Sequence, residues 1–143
     1  MKRYLLVVVS LLLVVGSVHA QSVRVVAQIP FDFVVGRTTL HAGEYTLDPV
    51  GLGRSTLLLK SADQKKAIYI TPGSCSSGEM QSETKLVFRV YGNERFLWQI
   101  WTQGYDFGRE LRVNPRKIEK ANLARPATVV ILATLGRNKS LLN

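Results

Sequence analysis

The chain contains a single cysteine, Cys75, and two histidines, His19 and His41. One thiol cannot close an intramolecular disulfide, so the fold has to be held by its core. So few Cys and His residues also exclude a Cys/His zinc site of ordinary ligand count and any multi-histidine metal centre within one chain. There is no glycine-rich phosphate loop and no serine elbow. A Cys75/His41 nucleophile pair is arithmetically available, but no motif places the two together. Glu79 and Glu83 flank a polar segment with no aromatic sugar platform, which suits a solvated loop better than a glycosidase pair. These absences lead to the expectation of a non-enzyme with no cofactor and no metal.

Acidic residues are also scarce toward the end of the chain. Of the formal net charge of +9, much sits from Arg109 onward, where only Glu110 and Glu119 are acidic. Arg109, Arg112, Arg116, Lys117, Lys120 and Arg125 therefore form a candidate contact for an anionic envelope polymer or lipid head groups, the alternative being a plain solvated surface. Nucleic acid is not expected, because the aromatics occupy hairpin positions and are not interleaved with these cations.

What is present begins with Met1-Lys2-Arg3, an apolar run over 4–15 broken only by Ser10, and Gly16-Ser17-Val18-His19-Ala20. This is the pattern of a secretory signal peptide cleaved after Ala20, placing the protein in the periplasm or outside the cell. The run is shorter than the roughly 20 apolar residues of a membrane-spanning helix, so no membrane span is expected after cleavage. No Cys follows the cleavage site, so a lipoprotein anchor is not indicated. Residues 21–143 suit a single domain, with 136–143 as a frayed tail.

Along that domain, residues 23–28 form an opening strand. Pro30-Phe31-Asp32-Phe33-Val34-Val35-Gly36 and Glu44-Tyr45-Thr46-Leu47 both alternate, with a polar stretch between them, so they are expected to pair as a strand and its return. Asp48-Pro49-Val50-Gly51 is expected to be a turn-rich connection, since proline cannot donate to a central ladder. Residues 56–60 and 67–71 make a second hairpin, and residues 72–78 around Cys75 a mobile loop. Residues 85–91 and 96–101 flank Gly92-Asn93-Glu94-Arg95 as a third hairpin of central strands covered on both faces. Closing Tyr91 on Phe96 puts Arg89 opposite Trp98, a cation–π arrangement. Asn114-Pro115 opens a short basic helix over 116–125. Residues 127–135 form a last buried strand, docked within the chain or on a neighbour. The fold class is thus all-β, an antiparallel β-sandwich or small β-barrel built from hairpins, with one short basic helix near the C-terminus. Trp98, Trp101, Tyr105 and Phe107 are core residues or, in a barrel, the lining of an apolar ligand cavity.

Pro30 to Gly36, Leu40-His41-Ala42-Gly43-Glu44-Tyr45-Thr46, Lys60-Ser61-Ala62-Asp63, Lys85-Leu86-Val87-Phe88 with Tyr91-Gly92, and Trp101-Thr102-Gln103-Gly104-Tyr105-Asp106 resemble a family of small secreted proteins abundant in acidobacterial soil bacteria. The resemblance spans the chain from the cleavage site to about Leu111 and implies a fold, since its motifs are structural in type. It implies no activity. Proline commonly stands in that family where this chain has His41, so the resemblance assigns His41 no shared role. The function expected is an exported non-catalytic β-domain with a structural or binding role. The alternatives are a carrier of small apolar ligands and a subunit of an envelope or extracellular assembly.

Overall fold

The computed structural model describes residues 23–51, 53, 55–113 and 126–136. They form eleven strands: β1 (Arg24–Ile29), β2 (Phe33–Val35), β3 (Thr38–Leu40), β4 (Gly43–Val50), β5 (Thr56–Ser61), β6 (Ala67–Ile70), β7 (Ser74–Ser77), β8 (Thr84–Tyr91), β9 (Glu94–Trp101), β10 (Phe107–Glu110) and β11 (Ala127–Gly136). There is no helix among the described residues, and the basic helix expected over 116–125 lies outside them. The strands join edge to edge in the order β3-β2-β9-β8-β11-β1-β4-β5-β6, with β10 and β7 branching from β9. The result is one open, curled sheet, a half-barrel.

β11 carries the curl. Its residues 127–133 pair with β8, and its residues 134–136 pair with β1, so one strand joins the two walls. Docking within the chain is the arrangement observed, but the strand is not buried through and through. Val129, Ile131 and Ala133 pack on the core, whereas Val130 is 50% and Leu132 60% exposed. Period-two alternation explains this: one face of β11 lines the interior and the other faces solvent. The concave side of the sheet holds the core, including Val25, Ala27, Ile29, Phe33, Tyr45, Leu47, Leu59, Leu86, Phe88 and Leu97. At its centre Phe33 packs edge-to-face on both Tyr45 (5.1 Å between centroids) and Phe88 (5.6 Å). Such geometry sets the positive ring edge against the negative face.

Three local expectations change. β2 does not pair with β4. The polar stretch after it is itself a strand, β3, which pairs with β2 through the Gly36-Arg37 turn, while β4 pairs with β1 and β5. Gly36 has φ +60° and Arg37 is not left-handed, the signature of a II′ hairpin, whose twist suits its strands better than a longer return would. Pro49 lies inside β4 opposite Leu57. Glu44 accepts from the Ala62 amide, so even-numbered β4 residues bond to β5 and Pro49 faces the β1 side, where pairing ends at Val25↔Leu47. Its missing N–H thus costs no ladder bond. Residues around Cys75 form β7, paired along β10, where a mobile loop was expected, because β10 supplies an edge that no local pattern announces.

The third hairpin forms with a different register. It closes on Gly92-Asn93, so Tyr91 faces Glu94 and Arg89 faces Phe96. Between Val87/Phe88 the register shifts: Phe88 faces Leu97 and Val87 faces Gln99, which leaves Trp98 as the extra residue of a β-bulge. Both strands are central, as expected, with β2 and β11 on their outer edges.

Candidate functional site

The bulge decides where Trp101 goes, while Trp98 already shares the face of Phe96 two residues before it. Leu86, Phe88, Leu97 and Ile100 face the core, so Val87, Arg89, Gln99 and the side chains in their row face the convex side. There Trp101 Nε1 donates to Gln99 Oε1 (3.1 Å), Gln99 Nε2 to Ser76 Oγ (3.1 Å), and Ser76 Oγ to Glu110 Oε2 (2.7 Å). Trp98 Nε1 donates to the other carboxylate oxygen (2.9 Å). Every donor in the chain points toward Glu110, which accepts at both oxygens, an arrangement that favours its ionised form. The Ser76 hydroxyl first, then the Trp98 and Gln99 donors and the nearby Arg89 charge, hold the Glu110 carboxyl below its ordinary range, against a smaller opposing push from burial. The indole faces are occupied too. The Arg89 guanidinium sits 3.4 Å from the Trp98 ring centroid and Lys85 Nζ 5.6 Å from that of Trp101. The Trp101 ring also lies against the backbone of Gly108 and Gly78. Trp98 and Trp101 are therefore ring-covered and hydrogen-bonded members of a structural network.

Tyr105 and Phe107 go elsewhere. Their rings meet edge-to-face at 5.2 Å and, with Val23, Val25, Leu47, Pro49 and Arg109, line a hollow of about 70 Å³ at one end of the curl. Small-ligand sites typically hold several hundred Å³. Arg109 stands in this wall, whereas the Arg112 side chain lies along the backbone of Gly73. Arg116, Lys117, Lys120 and Arg125 lie outside the described residues.

The larger hollow is at the other end, about 390 Å³, lined by Thr39, Leu40, His41, Ala42, Gly43, Glu44, Tyr45, Ser61, Ala62, Asp63, Lys65 and Lys66. Two loops frame it. The first is the crossing from β3 to β4, where the chain passes from one wall of the curl to the other. Asp32, in the crossing from β1 to β2, accepts from the Ala42 amide (2.9 Å) and from His41 Nδ1 (3.2 Å), clamping the two crossings together. Those bonds, the Ala42 amide foremost, draw the Asp32 carboxyl below its ordinary range. The Tyr45 hydroxyl donates to the His41 carbonyl (2.8 Å), and burial pushes its own pKa up. The histidine ring is thus engaged by the Asp32 carboxylate, which ties the two crossings together.

The second loop joins β5 to β6. Asp63 accepts from Ser61 Oγ and from the Lys65 amide (3.1 Å), and Gln64 takes φ +58° to complete the turn. Ser61 hydrogen-bonds its own loop closed, its amide donating to the Lys66 carbonyl and its Oγ accepting from the Lys66 amide. The result is a rigid wall bearing the Lys65 and Lys66 ammonium groups. Sequence reasoning passed over this place. Its signal was the adjacent lysines in a polar turn together with His41, but only the curl brings residues 39–45 and 61–66 to one hollow.

Among the described residues no group of three or more His, Cys, Asp or Glu side chains could hold a metal ion, and no helix is long and apolar enough to cross a membrane. Cys75 is an exposed free thiol on β7. Compared with protein-family models, curated proteins and solved structures, the chain matches none.

Proposed function

We propose that this is an exported, non-catalytic binding domain whose binding surface is the cleft framed by residues 39–45 and 61–66. The observation that carries the reading is the contrast between the two ends of the curl. The interior is filled by aliphatic and aromatic side chains, the Tyr105 end keeps only about 70 Å³, and the His41 end keeps about 390 Å³ on a frame of hydrogen-bonded loops. A preformed hollow of that size with an apolar floor and charged rim is the usual form of a ligand site. The Asp32, His41, Ser61 and Asp63 side chains around it are spent on holding loops, which supports binding over chemistry. Export rests on the leader pattern of residues 1–20.

A fragment screen by nuclear magnetic resonance, run on the exported protein and on Ala42→Trp, tests the reading. Binding should shift amides of residues 39–45 and 61–66, and the indole filling the cleft should abolish the shifts while the far-UV spectrum is kept. Shifts spread over the convex face, or unchanged in the variant, would overturn it. Sequencing the exported chain should find Gln21 first, and a product retaining residues 1–20 would overturn export.

A further inference from the structure

The cleft lies where the barrel fails to close. β3 and β6 are the two free ends of the strand path, and the cleft is lined by Thr39 and Leu40 of β3 on one side and by Lys65 and Lys66, which lead into β6, on the other. Among the described residues no strand pairs with the outer edge of β6. The Ser61 amide donates to the Lys66 carbonyl, and the register runs on through Leu59↔Ile68 and Leu57↔Ile70, so Lys66, Ile68 and Ile70 bond to β5. By the alternation of an antiparallel ladder, the N–H and C=O groups of Ala67 and Tyr69 point away from the sheet. Both residues are exposed, Tyr69 at 71%. Sheet edges are ordinarily guarded by brevity, a charge, a proline, a bulge or a covering loop. β6 is short, at four residues, but Ala-Ile-Tyr-Ile carries no charge, proline or bulge.

We propose that an extended polypeptide segment docks here by strand addition, running antiparallel to β6 with its C-terminal carboxylate at Lys65 and Lys66. The proposal rests on the binding-domain reading above and names the partner of that site. Main-chain bonds to Ala67 and Tyr69 supply the pairing, and the C-terminal end of the incoming segment, beside Lys65 and Lys66, reaches the cleft that Leu40, Ala42 and Tyr45 also line. The charge pattern fixes the direction. Lys65 and Lys66 stand just before the first residue of β6, so a strand antiparallel to β6 ends beside them. Among the described residues the Lys66 ammonium makes no ion pair, and that of Lys65 lies 4.0 Å from Asp63. Asp63 is already held by Ser61 and the Lys65 amide. Glu44 also lines the cleft and disfavours a run of acidic side chains, so a single terminal carboxylate is the better match.

The probe is a pentapeptide of alternating valine and threonine with a free C-terminal carboxylate, titrated into the exported protein and followed by amide resonances and hydrogen exchange. At saturation, exchange of the Ala67 and Tyr69 amides should slow about tenfold or more. The same peptide N-methylated at alternate residues should not bind, and its C-terminal amide should bind roughly two- to fivefold more weakly, as expected for one exposed ion pair. Lys66→Gln should narrow that difference. Tyr69→Pro should block binding and still fold, because the N–H it removes belongs to no ladder bond. Ala67→Pro provides the same test at the other outward position. Undiminished binding of the N-methylated peptide would overturn strand addition while leaving the cleft a ligand site. So would protection appearing at β7 and not at β6. Fragments that bind the cleft when no peptide does would overturn this proposal alone, whereas a cleft that binds neither would overturn the binding-domain reading with it.

Discussion

Arg89 holds its guanidinium 3.4 Å from the centroid of the Trp98 ring, although the residue opposite Arg89 in the ladder is Phe96. The contact exists because Trp98, two residues on from Phe96, shares its convex face and lies diagonally across from Arg89, where its Nε1 also reaches Glu110. Trp98→Phe removes that donor and weakens the stacking surface, for an expected loss of about 1–2 kcal/mol. A double-mutant cycle with Arg89→Ala should give a coupling of about 0.5–2 kcal/mol by urea unfolding. A coupling of zero would mean the stacked pair contributes nothing beyond proximity.

Acid should weaken the fold, partly through Glu110. Its folded pKa is depressed, chiefly by the Ser76 hydroxyl, so its contribution is complete above the unfolded carboxyl value near pH 4.3 and is lost as pH falls through the lower folded value. Asp32 and Asp63 are lowered as well and act in the same direction. Urea midpoints measured from pH 7 to pH 3 should therefore fall, and Ser76→Ala should make the drop shallower. An identical slope in the variant would show that the Ser76 bond does not set the Glu110 titration.

Gly108 allows the Trp101 ring to lie on the sheet. A Cβ there would stand 2.5 Å from Trp101 Cε2 and 2.6 Å from Cδ2. Gly108→Ala should cost about 1–3 kcal/mol and shift the tryptophan emission as the ring is displaced. Unchanged stability and emission would mean the ring has another place to go at no cost.

Gln64 is the one residue other than glycine found at positive φ among those described. Gln64→Gly relieves that conformation and gives some of the gain back as unfolded-chain entropy, for a net stabilisation of about 0.5–1 kcal/mol. A destabilised variant would show that the Gln64 side chain itself supports the turn.

β11 offers a direct check on which of its faces matters. Leu132→Thr should cost less than about 0.5 kcal/mol, since the side chain is 60% exposed. Ile131→Ala removes a side chain packed on the core and should cost about 2 kcal/mol or more. Equal costs would mean the outward face is covered in solution.

Much of the architecture was written locally. The apolar stretches at 56–60 and 67–71 announced β5 and β6, Gly92-Asn93-Glu94-Arg95 announced the place of the β8–β9 turn though not its two-residue length, and the β-branched run at 127–135 announced β11, because strand propensity and turn chemistry depend on near neighbours. Partners at long range were beyond that reach. Nothing near Phe33 states that its strand returns as β3 while β4 goes to β1, and nothing near Ser74 states that β10 will offer it an edge.

The sequence by itself determined a β-rich chain whose strands carry an aromatic–aliphatic face, and too few cysteines and histidines for an internal disulfide or a multi-histidine metal centre, since composition and period-two patterning are properties of the chain alone. Only the tertiary structure decided that the sheet curls without closing, that a one-residue bulge sends Trp101 to the outside, and that His41, Tyr45, Asp63 and Lys66 share a hollow at the gap. Each of these depends on which strands sit side by side, and that is settled by the joint burial of core side chains from both walls rather than by any one segment's pattern.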